Sequence, residues 1–546
     1  MTEPLAMHAR ANASAAGPAA DASCDVLVVG GGINGAGIAR DLAGRGLRVV
    51  LCEKDDLAQH TSSSSTKLIH GGLRYLEYYE FSLVRKALIE REVLLKSAPH
   101  IMWPLRFVMP HDRSLRPVWM IRAGLFLYDH LARREVLPGS ATVDLRMHEA
   151  GEPLKPVYTK GFVYSDGWVD DARLVVLNLL DAQQRGARIH TRTRCIEARR
   201  GTTGWQAVLE GPGGEHTKVT ARVLVNAAGP WTEQFLREQA HQRGTKGLRL
   251  VKGSHIVVKK MFDHPMAYIF QNPDKRIIFA IPYEQDYTLI GTTDVEHHGA
   301  VGEARIDDSE IGYLCEQASR YFAKPVRRED VVWTYSGVRP LLDDASGDPS
   351  AVTRDYLLDV STQQSNEDGS KRPAAPLLSV WGGKITTFRK LAEEAADLLC
   401  PVLNHPSIGW TAGELLPGGD LSAYIGAPQR PDVDFERFDQ ALGQRHPWLP
   451  PVLRRRLARN YGGRIDLIVG RAQRLSDLGE EIAPHLHEAE LHYLSQHEWA
   501  RTGDDVLWRR TKLGLHMSAS QREAVSRWFE RAHEPTQPAT LAAGVR

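Results

Sequence analysis

Cysteine is scarce, with five in 546 residues. Cys24, Cys52, Cys195, Cys315 and Cys400 stand far apart, and no CxxC or CxxxH spacing would place two of them on one ion. No metal site is therefore expected, and the five read as reduced thiols of a cytoplasmic protein. An excess of one charge is missing too. The 68 Lys and Arg against 67 Asp and Glu leave a net charge of +1, which gives no global attraction to nucleic acid and confines electrostatic recognition to local clusters. No apolar run approaches the ~20 residues that cross a bilayer. The nearest, VWMIRAGLFLYDHL at 118–131, is broken by Arg122 and Asp129, so no spanning helix is expected. Internal repeats and heptads are absent as well. Residues 1–23 are rich in alanine but carry Glu3, His8, Arg10 and Asp21; they lack the apolar core of a secretion signal and are expected to form a disordered extension.

The chain is long enough for two or three domains. From Cys24 it reads CDVLVVGGGINGAGIARDLAGRGLRVVLCEK. DVLVV has the β-branched character of a buried strand, Gly30-x-Gly32-x-x-Gly35 follows it directly, and an alanine-rich helical pattern follows the glycines. A second strand, LRVVLCE, ends in Glu53, at the spacing where a carboxylate meets a ribose hydroxyl. Gly30 makes the turn, Gly32 lets backbone approach a pyrophosphate at the positive end of the helix, and Gly35 lets helix pack on strand. This is a dinucleotide site, and the acid at position 53 disfavours the 2′-phosphate of NADP. ARVLVNAAGPWT at 221–232 is another apolar strand, ending in Ala227-Ala228-Gly229. Small residues there would let backbone pass close to a cofactor. Taken alone, these two signals leave FAD and NAD both open.

Further blocks follow in order: TSSSSTKLIHGGLRYLEYYEFSLVRKALIEREVLL from Thr61, then KGSHIVV, GTTDVE, WTYSGVRPL and WGGKITTFRKLAEEA. From about Cys24 to about Trp528 the chain resembles the FAD-dependent, quinone-linked glycerol-3-phosphate dehydrogenases of bacteria. The calcium-binding EF-hand loops of the mitochondrial relatives are absent. A polar insert, STQQSNEDGSKRPAAP at 361–376, reads as a surface loop.

The resemblance implies an α/β fold: a FAD-binding Rossmann-like domain of the glutathione-reductase and D-amino-acid-oxidase type, an antiparallel-sheet substrate cap and a C-terminal helical domain. The expected limits are 24–400 for the oxidoreductase domain and 401–546 for the helical domain. The FAD part would take about 24–100, 160–235 and 335–400, and the cap about 101–159 and 236–334. RIIFAIPYEQDYTLIGTTD reads as a hairpin. VLRRRLARNYG, EAELHYLSQHEWA and QREAVSRWFERA alternate at helical spacing.

The same resemblance assigns the site. Ser62, Ser63, Ser64 and Thr66 would donate hydroxyl hydrogen bonds to phosphate and flavin oxygens, and Gly71-Gly72 would let the chain pass beneath the ring. Arg74 and Tyr75 would face the substrate, Arg74 meeting its phosphate. Ala228, Gly229, Gly382 and Gly383 would lie on the cofactor, and Lys384 beside both cofactor and substrate. His255, at the start of its strand, is the candidate base, because an ordinary histidine pKa of about 6.5 suits proton transfer near neutrality. Arg339, ahead of a turn forced by Pro340, would bind the phosphate or lie near the developing alkoxide, and the sequence leaves that choice open. The implied reaction is oxidation of sn-glycerol 3-phosphate to dihydroxyacetone phosphate through FAD, with electrons passed to a membrane quinone. Rival readings are a glycerol-phosphate oxidase using oxygen, an amine or amino-acid oxidase, and a flavin-binding sensor without catalysis. A quinone-linked chain without a spanning helix needs a basic, apolar face for an anionic membrane surface, which would hold it on the cytoplasmic side of the inner membrane. The candidate is 106–134, with Arg106, Arg113, Arg116, Arg122, Arg133 and Arg134 beside Trp119, Met120, Leu125, Phe126, Leu127 and Tyr128. Monomer and homodimer are equally open.

Overall fold

The computed structural model describes residues 22–533 apart from 113–115, 243–245, 275, 343–354 and 366–370. The expected disordered extension lies outside the described residues up to position 21. Its last two residues, Ala22 and Ser23, instead open the first strand, pairing with Val219 and Thr220.

Two large sheets organise the chain. The first has five parallel strands, Lys371–Trp381, His216–Asn226, Ala22–Val29, Val49–Cys52 and Arg188–His190, in that spatial order. Their near-continuous apolar runs are those of strands buried on both faces. Helices Ile33–Gly44, Asp171–Gln184 and Phe388–Val402 pack on one face, and Trp205, Phe235 and Leu236 close the other. The insert read as a surface loop is mostly strand. Leu357–Ser365 pairs antiparallel with Lys371–Trp381, register running from Leu357↔Trp381 to Ser365↔Lys371. Thr362, Gln363 and Arg372 are exposed on this edge pair, where side chains meet water without breaking the ladder.

The second sheet has ten strands and is antiparallel except where Ala267–Gln271 lies parallel to Met102–Pro110. It includes Lys160–Val169 and Val331–Leu342, segments the sequence reading placed wholly or largely in the FAD part. The expected hairpin is present: Ile277–Tyr283 and Tyr287–Gly291 close at Tyr283↔Tyr287, with Glu284 and Gln285 at positive φ in the turn. Two sequence expectations fail here. His255 lies inside the strand Leu248–Lys259, not at its start. Pro340 turns nothing: Val331–Leu342 runs straight through it, paired with Leu248–Lys259 from Leu250↔Pro340 to Val257↔Trp333. Among the described residues that strand pairs on one side only, and an edge strand tolerates a proline's missing N–H.

The helical periodicity at the C-terminus corresponds to Pro451–Tyr461, Glu488–His497 and Ala519–His533. With Pro431–Arg445 they enclose a core of their own, from Leu421 to Phe529. His100 is sealed where this unit meets the rest, against Gly418 and Gly462, and burial pushes its imidazole down to about 3. A base depressed in the folded state binds fewer protons than in the unfolded chain, so stability is lost as pH falls below 6.5 towards 3. Between pH 7 and pH 5 the parent should lose about 2 kcal/mol more than a His100→Gln variant. Equal losses in thermal unfolding at the two pH values would remove His100 as the cause.

Candidate functional site

The helix Ile33–Gly44 starts at Gly32 without a side-chain cap. Two of the three glycines permit its close packing on the neighbouring strands. A Cβ on Gly30, at φ +110, would lie 2.5 Å from the Ala227 carbonyl oxygen, and one on Gly35 would collide with the Gly30 carbonyl. Gly32 differs: its Cβ direction meets only the Ser62 hydroxyl, at 3.2 Å. The Ile33 N–H donates to Ser62 Oγ at 3.0 Å. Glu53 is buried, accepting from the backbone N–H of Gly31 at 2.7 Å and of Asp55 at 2.9 Å. Burial raises its carboxyl above the usual carboxylate range. Gly30, Gly32, Ile33, Glu53 and Ser62, with Ala228, Gly229, Gly382 and Gly383, line a cavity of about 280 Å³ beside the parallel strands, while Gly35 lies behind it as a packing residue.

A second cavity, of about 300 Å³, shares Ile33, Thr61, Ser62, Pro340, Gly382 and Gly383 with the first. The two are halves of one elongated cleft. Its second half contains Ser64, Thr66, Gly72, Arg74, Tyr75, His255, Arg339 and Lys384, so residues spread over 320 positions of sequence converge. His255 is buried, stacked on Tyr335 with ring centroids 4.6 Å apart, and its Nε2 lies 3.0 Å from Thr66 Oγ1. Burial, with Arg339 and Lys67 nearby, holds the imidazole well below its ordinary value. Its charged form is disfavoured by this burial and by the two neighbouring cations. Lys384 sits over the Tyr75 ring, 3.9 Å from its centroid. Arg74 donates to the Tyr78 hydroxyl at 3.3 Å.

Two expected contributors lie elsewhere. Ser63 lines neither half; its hydroxyl donates to the His60 carbonyl and its own carbonyl accepts from Lys67 Nζ, which makes it a turn residue. Gly71 faces away from the cleft, because a Cβ there would strike Leu88 and Tyr128, 2.5 and 2.7 Å away, while its N–H donates to the Tyr128 hydroxyl at 2.8 Å. Only Gly72, at φ +75 beneath Tyr75, borders the cleft.

Sequence reasoning missed the partners. Arg339 is paired with Asp294 and donates from Nη2 to Thr292 Oγ1 at 3.1 Å. Gly253 leaves space for that guanidinium. Both partners belong to the quoted GTTDVE block, to which no role was given. Asp171 follows the N-capping Asp170 and looks like a second capping acid. It instead accepts from Ser65 N and Oγ and from buried Lys67, pinning the serine-rich turn from 104 to 106 positions away. No local signal reveals that pairing.

The FAD dependent oxidoreductase family matches the chain over residues 25–358. The chain belongs to this family. Residues 411–535 match the C-terminal domain of alpha-glycerophosphate oxidase. The chain is 51% identical over 512 residues to D-erythritol 1-phosphate dehydrogenase of Brucella abortus, covering 94% of this chain and 98% of the relative. It is 50% identical over 506 residues to aerobic glycerol-3-phosphate dehydrogenase of Escherichia coli, covering 92% and 97%. The solved glycerol-3-phosphate dehydrogenase of Bacillus halodurans, complexed with FAD, matches with a TM-score of 0.72 at 27% identity over 93% of this chain and 90% of that one. As an FAD-dependent oxidoreductase the chain takes FAD, and the cradle fits it. The uncapped helix start and bare Gly32 suit a pyrophosphate, Glu53 keeps lone pairs for a ribose, and the cleft continues past Gly382 and Gly383 to the polar half.

The surface stretch 106–134 divides. Arg106 turns inward to the Gly139 carbonyl and Ser165 Oγ, Leu125 and Tyr128 are buried, Arg116 pairs with Glu77 and Arg134 with Asp129. Arg113 lies outside the described residues. Arg122 is half-buried, and Arg133 stays exposed beside an apolar group: Trp119 at 68%, Phe126 at 61%, Met120 and Leu127 on the helix Val118–His130, with Tyr78 and Tyr79 from a neighbouring turn. Among the described residues no helix is long and apolar enough to cross a membrane.

Proposed function

We propose that this enzyme oxidises sn-glycerol 3-phosphate to dihydroxyacetone phosphate and delivers the electrons to a quinone while docked on the cytoplasmic face of a membrane. The observation that carries the substrate half is the cleft's second half, where Arg74, Lys384 and Arg339 surround a buried His255 whose charged form is disfavoured. FAD, when bound, supplies the two-electron acceptor. Lys384, Arg74 and Tyr75 bind the phosphate, because among the described residues no acidic partner of Arg74 competes with it as Asp294 competes for Arg339. Arg339, half neutralised by Asp294, faces the hydroxyl end, where a guanidinium and carboxylate side by side both donate to and accept from a polyol. His255 takes the C2 hydroxyl proton at Nε2, the nitrogen already hydrogen-bonded to Thr66.

The Brucella abortus relative, whose name specifies a four-carbon polyol phosphate, makes chain length the question to test. Under anaerobic conditions glycerol 3-phosphate should bleach the flavin absorbance faster than D-erythritol 1-phosphate, and amino acids should leave it yellow. Faster bleaching by the four-carbon ester would move the assignment to that substrate. His255→Ala should slow bleaching by on the order of a hundredfold at saturating substrate, and an unchanged rate removes His255 as the base. Turnover with a soluble quinone should exceed turnover with oxygen; the reverse would make the enzyme an oxidase.

The exposed Trp119, Met120, Phe126 and Leu127 support the membrane reading, since aromatic and aliphatic side chains on one helix face suit the headgroup boundary. A Trp119→Ser/Phe126→Ser variant should bind anionic liposomes about tenfold to a hundredfold more weakly than the parent in sedimentation. Equal binding places the docking face elsewhere.

A further inference from the structure

Residues 53–62 form one wall of the dinucleotide half of the cleft, through Glu53, Lys54, Gln59, His60 and Ser62. Asp56, in the middle of this loop, does not line the cleft. Its side chain is fully buried and turned towards the C-terminal helical unit, 453 and 454 positions away in sequence. Arg510 grips it as a fork, Nη1 to Oδ2 at 2.6 Å and Nη2 to Oδ1 at 2.8 Å, and Arg509 Nε adds a third bond to Oδ2 at 2.6 Å. Arg510 is itself fixed, donating from Nε and Nη2 to the Glu498 carbonyl at 2.9 and 2.7 Å. Consecutive residues of an α-helix do not face one another. Here Asp505–Arg510 is wound as a π-helix, a form that recurs at functional positions, and both arginines reach one carboxylate.

A second tie runs to the same loop. Arg192 donates its backbone N–H to the Asp55 carbonyl at 2.9 Å and its Nη2 to Asp505 at 2.7 Å, and Asp505 also accepts from Arg509. The loop is thus held at two successive residues by groups that all lead back to one turn of the C-terminal unit. On either side of these anchors stand the residues that border the cofactor cavity. Glu53 reaches back to the glycine turn, and Ser62 Oγ accepts from the Ile33 N–H across the loop. A displacement of Asp56 would move both.

We propose that Arg510 and Arg509 are positioning residues for FAD: through Asp56 they fix the wall of the cofactor cavity, so that the C-terminal helical unit controls how long the flavin stays bound. A fork between guanidinium and carboxylate sets orientation as well as distance, and a buried carboxylate that loses its partner cannot remain where it is without water. The loop would open towards solvent on the side where it borders the cofactor.

The test uses holoenzyme and two readouts, the rate of FAD release, followed as the rise of flavin fluorescence after dilution, and the thermal midpoint. Arg510→Lys keeps the charge and loses the fork, and Asp56→Asn keeps the shape and loses the charge; each should release FAD about tenfold faster or more. Arg459→Gln loosens the same unit far from the loop, where Arg459 donates to the Pro99 carbonyl and covers Trp103, and should leave release within about twofold of the parent. A lower midpoint with unchanged release in Arg510→Lys would make the clamp mere domain packing and overturn the proposal. So would Arg459→Gln releasing FAD as fast as Arg510→Lys. If Arg510→Lys does not fold, Arg509→Gln, which leaves the fork in place, decides: faster release supports the assignment and parental release refutes it.

Discussion

Gly32→Val should purify colourless. At this position the substitution acts through volume alone. Gly32 has φ −77 and ψ −178, an extended conformation that valine adopts without strain, and an added Cβ meets only Ser62 Oγ, at 3.2 Å. The fold therefore tolerates the change, while the two γ-methyls enter the space in front of the helix start that would hold the pyrophosphate. The same substitution at Gly30 or Gly35 would be uninformative, because there a Cβ collides with backbone of the first strand or of Ala227, and loss of flavin would follow from loss of packing. Overpacking of this kind costs about 3 kcal/mol, and the valine also screens the helix N-terminus from the phosphate charge, so FAD affinity should fall by more than a hundredfold on the order of. The measurement is flavin absorbance per chain, with the thermal midpoint of the apo-protein as control for folding. A yellow variant with one FAD per chain would place the pyrophosphate elsewhere. The parent's flavin should pass into the supernatant on acid precipitation, as the family resemblance implies for a non-covalently held cofactor.

What was legible in the sequence is what is local in the chain. The glycine turn, the strand before it and Glu53 at the end of the next strand form a unit of about thirty residues whose spacing is set by one βαβ crossover, and the structure reproduces it element by element. The hairpin around Glu284 and the amphipathic C-terminal helices are local in the same sense. The errors have a common cause: the deciding contact is remote. Pro340 looked like a turn because nothing near it announces an edge strand. Ser63 could not be told from Ser62 because the difference is which one meets the Ile33 N–H. Gly71 could not be told from Gly72 because it faces Leu88 and Tyr128. His255 was placed in the site by its motif, yet its lowered pKa comes from burial and from Arg339 and Lys67, none of which is near it in sequence. The Asp294 partner of Arg339 was in view as part of a motif, and only the fold gives it a neighbour.

That neighbour makes Arg339→Ala a larger lesion than the loss of one guanidinium. In the proposed role, removing the side chain would delete a donor to the substrate and would also leave the Asp294 carboxylate in the cleft without its counter-ion, facing an anionic substrate. The pair is about a third exposed, so the lost charged donor costs about 1.5 to 3 kcal/mol and the stranded acceptor about 1 to 2 kcal/mol more, and kcat/KM for glycerol 3-phosphate should fall by roughly two to three orders of magnitude. If the uncompensated carboxylate is half of the damage, adding Asp294→Asn to Arg339→Ala should recover about tenfold, although Asp294→Asn alone should impair the parent. Among the described residues Arg74→Ala has no such carboxylate to strand. Its loss of about 2 to 4 kcal/mol should appear in KM and should be absent for glycerol, which has no phosphate to lose and is a poor substrate throughout. The two arginines are thus separated by three measurements: the response to Asp294→Asn, the split between kcat and KM, and the discrimination against glycerol. A double variant no better than Arg339→Ala would detach Asp294 from substrate recognition. An Arg339→Ala enzyme with the parental kcat/KM would confine the pair to holding the Leu248–Lys259 and Val331–Leu342 strands together.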